Sequence, residues 1–172
     1  FWHWHGPSRS AHGGAMEAPR RRLPRAERTS RARAIAEDYD GIAHRRELAT
    51  VGISREDIRG EVEAGRWVAL GRHTVVVIRE AWSRRSAWFR AIWESGAGAV
   101  LDGVAALQAS GLKGFEHDVI DVAMPANNRR HKVQGVRAHY YASMPPTVGG
   151  GVPRVRPDTA AMHAAQWAAT DR

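Results

Sequence analysis

Between residues 45 and 73 stand Arg45, Arg46, Arg55, Arg59, Arg66, Arg72 and His73, six guanidinium groups and an imidazole of the type and spacing that contact a polyanion. Arg55 and Arg59 are four apart and therefore share one helix face, where a guanidinium can donate two parallel hydrogen bonds to guanine O6 and N7. The competing arrangement pairs them with Glu56, Asp57 or Glu63. Such a surface pair contributes only about 0.2–0.5 kcal/mol, too little to prevent a phosphate contact. Arg45 and Arg46 open a preceding helix, a position suited to phosphate. Arg66, Arg72 and His73 flank a turn between strands and can straddle a backbone or a minor groove, with Arg72 presented outward.

These residues need a particular scaffold, and the local signals between Gly41 and Arg79 provide one. His44 to Ala49 reads as a brief helix with Leu48 inward, and Val51-Gly52-Ile53 as a turn. Ser54 is a good N-cap, and Asp57 three residues later completes a capping-box pattern. Ile58 and Val62 then form an inward stripe that stops at Gly65. Two apolar strands follow, Trp67 to Leu70 and Thr74 to Ile78, joined at Gly71-Arg72-His73. A helix over Glu27 to Tyr39, with Ala32, Ile35, Ala36 and Tyr39 on one stripe, precedes them. The order is that of a helix-turn-helix with a β wing.

Downstream, the patterns predict a helix from Ser83 to Ser95, a short strand at Ala99 to Leu101, and a helix capped by Asp102. Strands are expected over Val119 to Met124 and Val136 to Tyr141. Between them Asn127 to Lys132 reads as a hairpin-like basic loop able to bind phosphate, RNA or an acidic partner. A loop from Met144, an extended Val152 to Pro157 and an Ala-rich helix over Asp158 to Ala169 complete the chain. Trp67, Trp88, Trp93 and Trp167 read as packing residues. The fold class is α+β: a disordered basic tail over residues 1–26, a winged helix-turn-helix over 27–80, and a small mixed α+β domain over 81–172.

The formal charge of +8 is unevenly placed. Residues 1–34 hold eight arginines against Glu17 and Glu27, leaving the remaining 138 residues at a net of +2. The stretch Arg20 to Arg33 reads as an extended basic arm that can lie along phosphates. Met16 is a plausible natural start. No cysteine is present, which excludes disulfides and thiolate metal sites and fits a reducing cytoplasm. No apolar run approaches the roughly 20 residues of a membrane span. A cytoplasmic location without membrane contact is expected.

Nothing points to catalysis. No nucleophile elbow or zincin spacing occurs. Asp118 and Asp121 lie close together, but a metal nuclease needs a further acid and a lysine in register. His3, His5 and His12 lack a carboxylate or cysteine to complete a metal set. The expectation is a protein that is not an enzyme and uses no cofactor or metal.

The chain resembles the N-terminal part of actinobacterial proteins related to AbiEi antitoxins of type IV toxin–antitoxin systems. The matching pieces are GIAHRRELATVGISREDIR from Gly41 to Arg59, AGRW from Ala64 to Trp67, GAVLDGVAAL from Gly98 to Leu107, and VPRVRPDTAAM from Val152 to Met162. The resemblance spans about residues 34–172. It implies a winged helix-turn-helix followed by an antitoxin domain, binding to operator DNA, autoregulation of a toxin–antitoxin operon, and a cognate toxin as a possible partner. Many relatives continue into a domain similar to very-short-patch-repair endonucleases, and no acidic nuclease motif of that kind stands in this chain. Two departures matter: the third helix carries Glu56, Asp57, Glu61 and Glu63 where relatives often have arginines, and Asp102-Gly103-Val104-Ala105 stands where they often have Ser-His-Arg-Ser. The alternative reading is a protein-interaction module, the N-terminal part of a longer effector.

Overall fold

A computed structural model describes residues 23–170, so the histidine-rich start and Arg20 to Arg22 lie outside the described residues. The described chain is mixed α+β, with six α-helices and two sheets. Among the described residues no helix is long and apolar enough to cross a membrane.

The first helix, α1, spans Arg25–Glu37, starting earlier than its apolar stripe indicates. Pro24 precedes it, its carbonyl accepting the Arg28 N–H at 3.0 Å. Proline has no N–H to leave unsatisfied and its fixed φ suits a helix entry. The basic arm expected over Arg20 to Arg33 is therefore overturned from Arg25 onward: those arginines are helical, and Arg28 is only 8% exposed. Arg25 and Ala26, assigned to the tail by the sequence reading, belong to this helix.

Ile42 and its neighbours form a strand, β1 (Ile42–His44), too short for a period-two pattern to reveal. Helices α2 (Arg45–Thr50) and α3 (Arg55–Glu63) follow, joined through Gly52 at φ +83°. The expected cap is present: Ser54 Oγ accepts the Asp57 N–H and Asp57 accepts the Ser54 N–H, both at 3.1 Å. Strands β2 (Val68–Ala69) and β3 (Thr74–Val76) close a three-stranded sheet in the order β1-β3-β2, antiparallel throughout. Its two faces are separated by strand alternation. Ala43 and Val75 pack with Ala32, Ala36, Leu48, Ile53, Ile58 and Trp67, while Ile42 and Val76 face the other way.

That second face meets α4 (Arg84–Ser95), whose Phe89, Ala91 and Ile92 join one apolar cluster with Ile42 and Val76 on one side and Leu101, Val122 and Met124 on the other. The helix entry is fixed to the end of α1. Ser83 Oγ and Arg85 Nη1 donate to the Asp40 carboxylate at 2.5 and 2.8 Å, and Ser86 Oγ donates to the Asp40 carbonyl at 2.8 Å.

The second sheet is built from β4 (Val100–Leu101), β5 (Ile120–Pro125), β6 (Val136–Tyr141), β7 (Thr147–Val148) and β8 (Arg154–Val155), in the order β6-β5-β4-β8-β7. Helices α5 (Gly103–Ala109), capped by Asp102 as expected, and α6 (Pro157–Thr170) pack against one another. One expectation fails here. β5 and β6 pair in parallel, Ile120 opposite Val136 and Pro125 opposite Tyr141. Residues 126–135 are thus not a hairpin tip. Parallel strands require the connection to return along the strand length, and this return carries the basic residues back beside α4.

Candidate nucleic-acid interface

The site is assembled from the ends of short elements. His44 is the N-cap of α2: its Nδ1 accepts the Arg46 backbone N–H at 3.0 Å, which requires that nitrogen to be unprotonated. Burial, followed by the nearby His73 and Arg46, lowers its pKa from the ordinary 6.5. Its ring stacks on that of His73, with centroids 5.5 Å apart and 10° between planes. This stack brings the start of α2 against the turn between β2 and β3. A cleft of about 520 Å³ opens there, lined by Arg45, Arg46, Arg55, Arg72 and His73.

The turn itself is held from α4. Glu94, 7% exposed, accepts the backbone N–H groups of Arg72, His73 and Thr74, each at 2.8 Å, and the Thr74 hydroxyl at 2.7 Å. Burial alone would raise the Glu94 carboxyl, but these hydrogen bonds outweigh it and hold the group below its ordinary value. Gly71 is required for this approach, since a Cβ there would stand 2.4 Å from the carboxylate. With its backbone fixed by Glu94, the turn leaves the Arg72 side chain exposed.

The acids of α3 divide by face. Asp57 and Glu61 point inward, and Glu61 is 1% exposed. Arg28 from α1 donates to Glu61 at 3.0 Å and lies 3.6 Å from Asp57, while Arg66 also bonds Glu61. The Arg66 bond, opposed by burial and aided by Arg28, lowers the Glu61 pKa. The apparent acidic dilution of α3 is thus in part an internal network that fixes the helix to α1. Only Glu56 and Glu63 of the four acids are exposed.

Of the seven predicted contacts, the structure brings five into the cleft. Arg59 and Arg66 are not among its lining residues. Arg59 lies on the exposed face of α3, 3.8 Å from Glu63, and Arg66 is committed to Glu61. Residues that sequence reasoning left apart now adjoin the turn. Arg90 of α4 and Arg129, Arg130 and Lys132 of the 126–135 return line an adjacent cleft with Arg72. The clustered charges signalled this loop, but its position beside the turn follows only from the parallel pairing of β5 and β6.

A polar cluster elsewhere went unread. Asp121, 1% exposed, accepts from Arg137 Nε and His139 Nε2, both at 2.8 Å, with His117 Nε2 at 3.4 Å. Burial opposes ionisation, yet the bonds from His139 and Arg137 lower its pKa. Asp102 caps α5 and accepts from Tyr141 OH at 3.0 Å and His163 Nδ1 at 2.9 Å. His139 stacks on Trp167 at 3.5 Å. These groups fasten α5 and α6 to β5 and β6. Asp118 is exposed, whereas Asp121 is buried. Among the described residues no cluster of three or more histidine, aspartate or glutamate side chains is arranged to hold a metal ion. The basic cleft between α2, α3 and the turn is the candidate site, and no family model and no curated protein matches the chain.

Proposed function

We propose that residues 25–78 act as a winged helix-turn-helix that binds duplex DNA, with α3 entering the major groove and the β2–β3 turn acting as a short wing. The observation that carries this is the cleft lined by Arg45, Arg46, Arg55, Arg72 and His73, to which no carboxylate among the described residues contributes. The order helix, strand, helix, helix, hairpin and the β1-β3-β2 sheet support the reading. Arg55 is the first residue of α3, where side chains reach base edges and the helix dipole favours phosphate. Arg45 and Arg46 begin α2, in position for the flanking backbone. The inward turn of Asp57 and Glu61 reduces the repulsion that the sequence of α3 suggests.

The resemblance to AbiEi antitoxins supplies the biological setting: a regulator that binds the operator of its own toxin–antitoxin operon, with the toxin as a further partner. Binding to the DNA upstream of its own gene, followed by fluorescence anisotropy across a salt series, tests the reading. Phosphate contacts predict a log–log salt slope of about −0.9 per phosphate neutralised, and Arg45→Ala with Arg55→Ala abolishing most of the affinity. Absent or salt-independent binding by the wild-type chain contradicts it.

A further inference from the structure

We propose that the cleft between the β2–β3 turn and the 126–135 return is a second phosphate-binding surface, so that a duplex seated on α2, α3 and the turn is also gripped by residues of the second sheet. The inference rests on the DNA reading above and extends it to a part of the chain outside the winged unit. This cleft, about 620 Å³, is lined by Arg72, Arg90, Arg129, Arg130 and Lys132. Arg72 lines both clefts, so the two basic surfaces are continuous at the turn.

Its positive charge is in excess, five cationic side chains against the single carboxylate of Glu94. The carboxylate that borders it belongs to Glu94, and both of that group's oxygens accept from the turn, not from the arginines. Among the described residues none of the five cations forms an ion pair. An excess of like charge gathered in a concave surface raises the local concentration of a polyanion.

The surface is also pre-arranged. His131 Nε2 donates to the Glu94 carbonyl at 2.6 Å, Asn128 Nδ2 to the Ala97 carbonyl at 2.6 Å, and Arg90 Nη1 to the Gln134 carbonyl at 3.3 Å. Arg130 lies over the Tyr140 ring, 4.7 Å from its centroid. Glu94 therefore fixes the turn through its side chain and the return through its carbonyl. A loop already ordered loses less entropy on binding than a free one.

The test uses the full chain and a duplex of about three helical turns, roughly 30 base pairs, followed by anisotropy from low to moderate salt. The triple variant Arg129→Ala, Arg130→Ala, Lys132→Ala is expected to bind about tenfold or more weakly, with a salt slope shallower by about 2. A control variant, Arg33→Ala, Arg84→Ala, Lys113→Ala, removes the same charge away from both clefts and is expected to keep the wild-type slope. An unchanged slope in the first variant, with binding still lost in Arg45→Ala with Arg55→Ala, overturns this inference and leaves the DNA reading standing. Equal weakening by the control variant also overturns it, since net charge alone would then account for the effect. No duplex binding by the wild-type chain overturns both.

Discussion

Glu94 Oε1 accepts two hydrogen bonds from Thr74, the backbone N–H at 2.8 Å and the hydroxyl at 2.7 Å, across a separation of 20 residues. A helix of one sheet's layer thereby sets the turn of the other sheet. Glu94→Ala strands several buried donors at once and is expected to lower the unfolding free energy by about 2–4 kcal/mol. Urea denaturation measures this, and Glu94→Gln, which keeps one acceptor oxygen, should lose less. A variant within about 0.5 kcal/mol of wild type, the range of inert surface changes, would show that the turn is held by something else.

Gly71→Ala places a methyl group where the Glu94 carboxylate stands, 2.4 Å away. Carboxylate or turn must shift, at a cost of about 1–3 kcal/mol. Combined with Glu94→Ala, which removes the obstacle, the glycine substitution should add little. A double-mutant cycle reads the coupling directly, and full additivity would deny the close approach.

The native state should weaken in two steps as pH falls. His44 is held below its ordinary 6.5, so the unfolded chain takes up a proton that the native chain resists, and stability declines below that pH. His44→Asn keeps an N-cap acceptor and should flatten this step. Glu94 and Glu61 are held below 4.5 and Asp121 below 3.8, so their contribution is present above those values and is lost as pH falls further. Denaturation midpoints between pH 8 and 3, a range spanning these groups, check both steps; a midpoint that rises on acidification contradicts the assignment.

Arg28 is the cation between Asp57 and Glu61, with its side chain 9% exposed. Arg28→Met leaves buried carboxylate without part of its pairing and is expected to cost about 3 kcal/mol. Calorimetry or urea titration measures the loss. Because the network orients α3 against α1, DNA affinity should fall with it at temperatures where the variant is still folded.

Arg66→Ala and Arg55→Ala separate internal pairing from polyanion contact. Arg66 already bonds Glu61, whereas Arg55 lines the cleft. Arg66→Ala should lower thermal stability and leave the salt slope of DNA binding unchanged. Arg55→Ala should reduce the slope by about 0.9 if it meets one phosphate and leave stability near wild type. The opposite pattern would exchange their roles.

Much of the fold was legible because its signals are local. Ser54 with Asp57 and Asp102 before α5 each act within about a turn of helix, and the alternation of Val119 to Met124 marks β5 without reference to any partner. Strand β1 was hidden because three residues cannot display a period. β7, inside a run rich in proline and glycine, was hidden for the same reason.

By itself the sequence determined most of the helices, the caps at Ser54 and Asp102, the turn at Gly52 and where the cationic side chains stand along the chain, since propensity, capping and side-chain chemistry belong to neighbours along the chain. Only the tertiary structure decided which of those cations are available. It turned Asp57 and Glu61 inward toward Arg28, bound Arg66 to Glu61, and left Arg45, Arg46, Arg55 and Arg72 around one cleft. It also paired β5 with β6 in parallel, which returned Arg129 to Lys132 to the side of the turn. Register and burial depend on what the rest of the chain places opposite a residue, and no spacing along the sequence carries that information.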